Sequence, residues 1–437
     1  MSGIAELLHN MGFEISGSDI KRSKTTRRLE GMGIEIAYEH RPENVEGKDI
    51  VVYSSAIGFD NPEIIRAQEL GIPIIPRAEM LAEIMRVKFS IAVSGSHGKT
   101  TTTSMTGYAL RSLDPTIVVG GILKGIESGA RIGSSDFLVA EADESDRSFL
   151  KLYPSIAVIT NIDAEHLDTY RNLIEIKKAF LDFANSVPFY GSVIVNVDDR
   201  NTRDIIPFIE KRYITYSLLE DAQLSARNIE FSGLSSSYDL YVEGKFMGRV
   251  KLNVPGSHNV SNSLAALAVA YELGIDVKEA MGNLEEFTGV RRRFEIKGKA
   301  GGAMVVDDYG HHPTEIEKVL MTARTYHRGK IVVVFQPHRY TRTKFLWKQF
   351  ASVLASADVV ILLPIYPAGE KEIRGVSSEL IYNRLREMGK ESVYLVSDKE
   401  EAVRLLGDFL SEDTLIITLG AGDVYRVGDM LLEDSGS

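Results

Sequence analysis

The 437-residue chain contains no cysteine. That excludes disulfides, thiolate metal sites and a cysteine nucleophile. It has no apolar run near the roughly 20 residues that cross a bilayer, and no secretory apolar stretch near its start. It also lacks a cluster of basic residues. With a formal charge of −11, the chain could not neutralise the phosphates of a nucleic acid along a backbone. What remains, 44% hydrophobic and 25% charged, is the composition of a soluble globular protein. Neither nucleic acid nor membrane is expected as a partner, and the cytoplasm is the expected compartment. The length exceeds one ordinary core and predicts about two to four domains.

Short apolar runs alternate with helical patterns, which predicts α/β architecture with parallel sheets. Three segments are expected. In residues 1–88, Ala5–Met11 and Glu63–Leu70 read as helices, and Phe13–Ser16, Ile50–Ser54 and Ile72–Ile75 as strands. In residues 89–297 the strands are Ser90–Val93, Thr116–Val119, Phe137–Ala140, Ile156–Thr160 and Ser192–Asn196. A helix at Asn172–Ser186, a hairpin over Tyr238–Val254 and a helix at Asn259–Leu273 complete that segment. The glycines of Gly298–Gly302 read as a boundary. In residues 298–437 the strands are Ala303–Val306, Ile331–Phe335, Val359–Leu363, Ser392–Val396 and Leu415–Leu419, alternating with five helices.

The most informative stretch is Phe89–Thr103. An apolar run breaks at Gly95-Ser96-His97-Gly98, and Lys99, Thr100 and Thr101 then open a helix. Strand, glycine turn, lysine and hydroxyl at a helix N-terminus make an anion cradle, with a threonine placed to meet Mg²⁺. The position five residues before Gly98 is Val93, so the match is to the shorter pattern G-x-x-G-K-[ST]. The competing reading is a tight strand-to-helix turn with Lys99 in solvent.

Polar clusters follow other strands. Glu141–Asp146 stands past one strand end, where ligand crevices form in open α/β sheets, and its carboxylates suit Mg²⁺. His166 lies past the next and could ligate a metal, with Asp168 orienting its ring. Asn259 and Asn262 share a helix face and could meet an adenine edge. Helix capping by Ser257 or Asn259 is the ordinary alternative and is preferred on these grounds. Arg291-Arg292-Arg293 could clamp phosphates or coat a linker. Asp307–Pro313 and Gln336–Arg342 end two strands of the third segment; Arg339 and Arg342 are suited to carboxylate or phosphate. Gly420-Ala421-Gly422-Asp423 reads as a plain strand-to-helix turn.

Read together, the strings GSHGKTTTT (95–103), EADESD (141–146), TNIDAEHLD (160–168), PGSHNVSN (255–262), VRRRF (290–294), DDYGHHPTE (307–315), FQPHRYTRT (335–343) and TLGAGDVY (418–425) resemble the Mur ligase family. DDYGHHP and QPHRYTR are similar to its alanine-adding branch. The resemblance implies three domains: a Rossmann-like N-terminal one for a UDP-sugar (1–88), a central ATPase (89–297) and a C-terminal Rossmann-like one (298–437). It implies ATP and Mg²⁺, with UDP-N-acetylmuramate and L-alanine as substrates, and a monomer or homodimer. The phosphate loop Gly95–Thr101 would hold ATP. Lys99 and Thr100 would serve its phosphates and Mg²⁺, with Glu141 and His166 as further metal ligands. Asn259 and Asn262 would lie at adenine, against the capping preference; Arg293 would reach the phosphates and Asp308 the ribose. Tyr309, His311, His338, Arg339 and Arg342 would line the amino-acid and muramoyl site. Phe180 stands where some members carry a carbamylated lysine, so no carbamate is expected.

Family members run a first strand and glycine turn directly into Met1–Leu8. The chain as given starts at that methionine, so its N-terminal domain is expected to lack that strand and the N–H cradle for the UDP pyrophosphate. Other readings are a recycling ligase that attaches a murein tripeptide, a P-loop NTPase or kinase with an appended domain, and a nucleotide-binding paralogue without activity.

Overall fold

The computed structural model describes residues 1–54, 57–121, 129–166 and 169–435. The chain divides into two units. One comprises Met1–Ile229, Ser237–Leu252 and Asn259–Thr288; the other comprises Glu230–Ser236, Asn253–His258 and Gly289–Ser437. No helix among the described residues is long and apolar enough to cross a membrane.

The first unit is organised by a ten-stranded sheet. Phe89–Ser94 lies at its heart, paired in parallel with Phe137–Glu141 on one side and Ile156–Ile159 on the other. Both neighbours are continuous apolar runs buried on both faces, as a parallel sheet covered by helices requires. Ser192–Asn196 extends the sheet in parallel beyond Ile156–Ile159. The next strands, Tyr213–Ser217 and Leu224–Ser232, were not anticipated. The expected hairpin then adds Ser235–Val242 and Lys245–Leu252 at that edge. The helix Leu173–Asn185 starts where the Asn172 side chain accepts the Glu175 N–H. It buries Ile176, Ala179, Phe180 and Phe183. Phe180 packs on Phe149, ring centroids 5.3 Å apart, as a core residue.

The N-terminal segment keeps the parallel strand and helix alternation expected of it. Its strands form two separate parallel pairs, Ser16–Ser18 with Glu35–Ala37 and Val51–Tyr53 with Ile74–Pro76. Each strand has only three residues, and no strand among the described residues hydrogen-bonds between the pairs. The helices Lys24–Gly31 and Arg77–Arg86 were not anticipated. The first is almost wholly polar and buries only Thr26 and Leu29, so it carries little apolar periodicity.

The second unit has a six-stranded sheet in the order Glu295–Ala300, Ala303–Asp308, Thr414–Leu419, Lys330–Phe335, Val359–Leu362, Val393–Leu395. All neighbours are parallel except the first pair. Gly298–Gly302, expected at a boundary, lies in a strand and the turn that follows it. Gly298 follows a register shift in an antiparallel strand, and Gly301-Gly302 turn the chain with φ of 52° and 89°. That strand runs through the expected junction at 297/298. Thr414–Leu419, the last strand in the chain, is inserted in parallel between Ala303–Asp308 and Lys330–Phe335, so the carboxyl ends of all three lie along one edge of the sheet.

Candidate active site

The candidate residues fall into two clusters, one in each unit. In the first, Phe89–Ser94 ends at Gly95 and the helix Lys99–Ala109 begins immediately after Gly98. Gly95 has φ 141°, and a Cβ there would stand 2.0 Å from Thr160 Oγ1. Gly98 has φ 83°, and its Cβ would stand 2.8 Å from Asn262 Oδ1. No side chain can replace either hydrogen without strain or collision. The Ser96 and His97 N–H groups are occupied by the backbone oxygen and Oδ1 of Asn161, at 3.0 and 2.9 Å. The N–H groups that could receive an anion are thus those of the first turn of the helix, which no side chain among the described residues caps.

Lys99 does not extend into solvent. Its Nζ donates to the Gly95 carbonyl at 2.7 Å and to Glu144 Oε1 at 2.9 Å. Burial disfavours this ammonium, but the carboxylates of Glu144, Asp143 and Glu141 outweigh burial and raise its pKa. Glu144 answers in kind: burial would raise its pKa, yet Lys99 and His166 pull it down to about 2. His166, with φ 54°, lies 3.5 Å from Glu144 Oε1 and 3.9 Å from Glu165 Oε2. Burial lowers the imidazole pKa, and the Glu144 carboxylate reverses this and raises it.

The expected metal ligands are thus distributed over two neighbouring groups. Thr100 donates to Glu141 Oε2 at 2.9 Å, and Glu141 also accepts the Gly120 N–H at 2.8 Å. His166 is gathered with Glu144 and Glu165, whose ligand atoms all lie within 4.8 Å of one another. Lys99 senses the carboxylates of both groups. Hydroxyl and carboxylate oxygens with a single imidazole fit Mg²⁺. Asp168, expected to orient His166, lies outside the described residues. Asn259 and Asn262 are buried on the helix Ser257–Glu272, 3.5 Å apart, with Asn262 against Gly98. The roles of Glu144, Glu165 and Asn161 were not anticipated from the sequence. Each belongs to a motif already singled out, but the pairing of Glu144 to Lys99 crosses 45 residues and that of Asn161 to His97 crosses 64.

In the second unit Asp308 is buried and accepts the N–H groups of Phe294 and Gly310, both at 2.7 Å. Burial pushes its pKa up to about 6 against the pull of Arg293 and these donors. Arg293 lies 3.7 Å from Glu315, which also accepts the His311 N–H at 3.0 Å. Glu315 was not anticipated; its signal was a capping box with Pro313 at the helix start. Burial holds His311 down to about 3 and His338 to about 4, assisted in both by Arg342. As a neutral ring, His311 donates from Nδ1 to the Tyr309 carbonyl at 3.2 Å and keeps Nε2 as an acceptor. His338 Nδ1 accepts from Arg342 Nη1 at 3.2 Å. The His338 ring stacks on Tyr366 at 8°. Arg339 is held at φ 72° because its N–H donates to the Tyr366 carbonyl at 2.8 Å.

Arg292 is bound within the C-terminal unit. Its guanidinium donates to Asp307 Oδ2 at 2.9 Å and to the carbonyls of Gly422 and Gly420 at 3.0 and 2.6 Å. It lies over the rings of Tyr309 and Tyr425. The Gly420–Asp423 segment is the strand-to-helix turn expected, packed so tightly that a Gly420 Cβ would stand 2.7 Å from the Gln336 carbonyl oxygen.

Comparison with known proteins agrees along the whole chain. Residues 1–89 match the Mur ligase family catalytic domain, 93–270 the Mur ligase middle domain, and 292–422 the Mur ligase glutamate ligase domain. The UDP-N-acetylmuramate–L-alanine ligase of Desulfatibacillum aliphaticivorans is 52% identical over 435 residues, covering 99% of this chain and 95% of that one. The solved UDP-N-acetylmuramate–alanine ligase of Thermotoga maritima superposes with a TM-score of 0.83 at 31% identity, covering 99% of this chain and 96% of that one. A murein peptide ligase of Psychrobacter arcticus shares the fold alone, with a TM-score of 0.72 at 22% identity over 100% of this chain and 96% of its own. The chain belongs to the Mur ligase family.

Proposed function

We propose that this protein is an ATP-dependent ligase that joins L-alanine to the carboxylate of UDP-N-acetylmuramate, a step in making peptidoglycan precursors. The supporting observation is the buried Lys99–Glu144 pair at the glycine turn, in a chain 52% identical over 99% of its length to a protein of that name. The muramoyl carboxylate attacks the γ-phosphorus of ATP, ADP leaves, and an acyl phosphate forms. The alanine amine then attacks the acyl carbon, and phosphate departs as the amide forms. The chain contributes charge and placement. The Lys99 ammonium and the N–H groups of Thr100 and Thr101 face the triphosphate, and Asn259 and Asn262 face adenine. Thr100 and Glu141 in one group and His166 in the other would hold Mg²⁺, which would supply charge neutralisation on the phosphate oxygens. In the C-terminal unit, His311, His338, Arg339 and Arg342 receive the amino acid and the muramoyl group. We place the protein in the cytoplasm, as a monomer or homodimer.

ADP release tests this directly. UDP-N-acetylmuramate with L-alanine should give sustained ADP, and omission of either substrate should stop it. Equal turnover with the murein tripeptide would move the assignment to the recycling ligase. ADP release that ignores both substrates would move it to a simple NTPase.

A further inference from the structure

Two loops carry the acidic and imidazole groups of the first cluster. One follows the strand Phe137–Glu141 and ends in Glu144; the other follows Ile156–Ile159 and ends in His166. Tyr170 touches both. Its backbone N–H donates to the His166 carbonyl at 2.9 Å, and its hydroxyl donates to the Glu144 carbonyl at 2.7 Å. The ring is buried, 1% exposed, beneath the Arg147 guanidinium at 4.7 Å from its centroid. Arg147 is itself anchored by Glu175 and donates to the Thr169 carbonyl at 3.4 Å. A packing role needs only the ring, which phenylalanine supplies equally. The hydroxyl does something the ring cannot. Without it the buried Glu144 carbonyl loses this donor, and the backbone bearing the Glu144 carboxylate loses its tie to the His166 loop.

We propose that Tyr170 is a positioning residue for the nucleotide and divalent-cation site. Its N–H and its hydroxyl fix the spacing of the two loops, and so hold the Glu144 carboxylate between Lys99 and His166. This rests on the nucleotide-site reading given under Proposed function. The conformation of Glu144 decides how much of the Lys99 charge stays available to phosphate and how close His166 stands to its carboxylate neighbours. A slack Glu144 loop raises the cation concentration at which ATP binds.

The test titrates ATP alone into the full chain by calorimetry across a series of MgCl₂ concentrations. Tyr170→Phe is expected to raise the MgCl₂ concentration for half-maximal ATP binding about tenfold, the factor that losing one buried hydrogen bond gives. The melting temperature without ligand should move by only a few degrees. An unchanged MgCl₂ midpoint overturns the proposal, as does a lowered melting temperature with that midpoint intact. A parent chain that binds no ATP at any MgCl₂ concentration instead overturns the reading of the site. Arg147→Leu removes the cation above the ring and should shift the same midpoint the same way, by about threefold. It decides the matter if Tyr170→Phe does not fold, and no shift in Arg147→Leu then overturns the proposal.

Discussion

Lys99 Nζ stands 2.8 Å from Glu144 Oε2, in a pair whose carboxylate side chain is only 2% exposed. Neither charge could be buried alone at tolerable cost. The glycine turn that frees the helix N-terminus also brings a lysine to the tip of the neighbouring strand. There the lysine serves two partners, the carboxylate that stores it and the anion that would claim it.

Removing that lysine should therefore have two separable effects. Lys99→Ala is expected to lower ADP formation by at least about a hundredfold, since a charge aimed at the moving phosphoryl group is lost. It should also lower stability by about 3 kcal/mol, because Glu144 keeps its burial and loses its counter-ion. In Lys99→Ala/Glu144→Gln, thermal melting should recover while ADP formation does not. Retained turnover in the single variant would remove the role assigned to Lys99.

Gly95→Ala should unfold the turn rather than merely slow the enzyme. A methyl at φ 141°, aimed 2.0 Å from Thr160 Oγ1 with backbone nitrogens at 3.1 and 3.2 Å behind it, has nowhere to go. Denaturant unfolding is expected to show a loss of about 2 kcal/mol or more. Gly98→Ala meets only the Asn262 side chain besides its own φ, and should cost less.

Acid should destabilise the C-terminal unit through two imidazoles. His311 and His338 titrate near 6.5 when unfolded and at about 3 and 4 when folded. Their contribution is complete above pH 6.5, where both states are neutral. It is lost as pH falls towards 4 and 3, because the unfolded chain takes up protons that the fold refuses. Melting temperature measured from pH 7 to pH 4 should fall, and His311→Gln or His338→Gln should make that fall shallower. An unchanged slope in both variants would contradict the burial argument.

Arg292→Lys is expected to behave as a severe change. A lysine keeps the charge beside Asp307 but cannot also reach the two carbonyls of Gly420 and Gly422 in the fixed fork of a guanidinium. Asp307 is itself buried at 1% exposure, so a poorly placed cation leaves its charge badly solvated. Chemical denaturation should show a loss of about 2 kcal/mol. A variant as stable as the parent would show that the strand ends do not depend on this fork.

The strand, glycine turn and helix start at Gly95–Thr100 were legible because they are local: two glycines, a lysine and a threonine stand within six consecutive residues, and a helix start needs no distant partner. Strands such as Ser192–Asn196 were legible because burial on both faces demands an unbroken apolar run. The strand that holds Gly298 was not legible because glycine marks freedom of the backbone, not its use, and a bulged antiparallel strand uses that freedom as readily as a linker does. Tyr213–Ser217 and Leu224–Ser232 escaped because they mix serine, threonine and arginine with their apolar residues, and strand pairing rather than composition stabilises them.

The amino-acid order alone determined the alternation of strand and helix, the place of the glycine turn before Lys99 and the motifs that mark the family. Burial, periodicity and backbone permissiveness are properties of neighbouring residues. Tertiary structure alone decided the partners: Glu144 for Lys99, Asn262 for Gly98, Glu315 for Arg293, Asp307 for Arg292. Those choices depend on which strand lies beside which and on how deeply each charge is withdrawn from water, and both arise only when the sheet has formed.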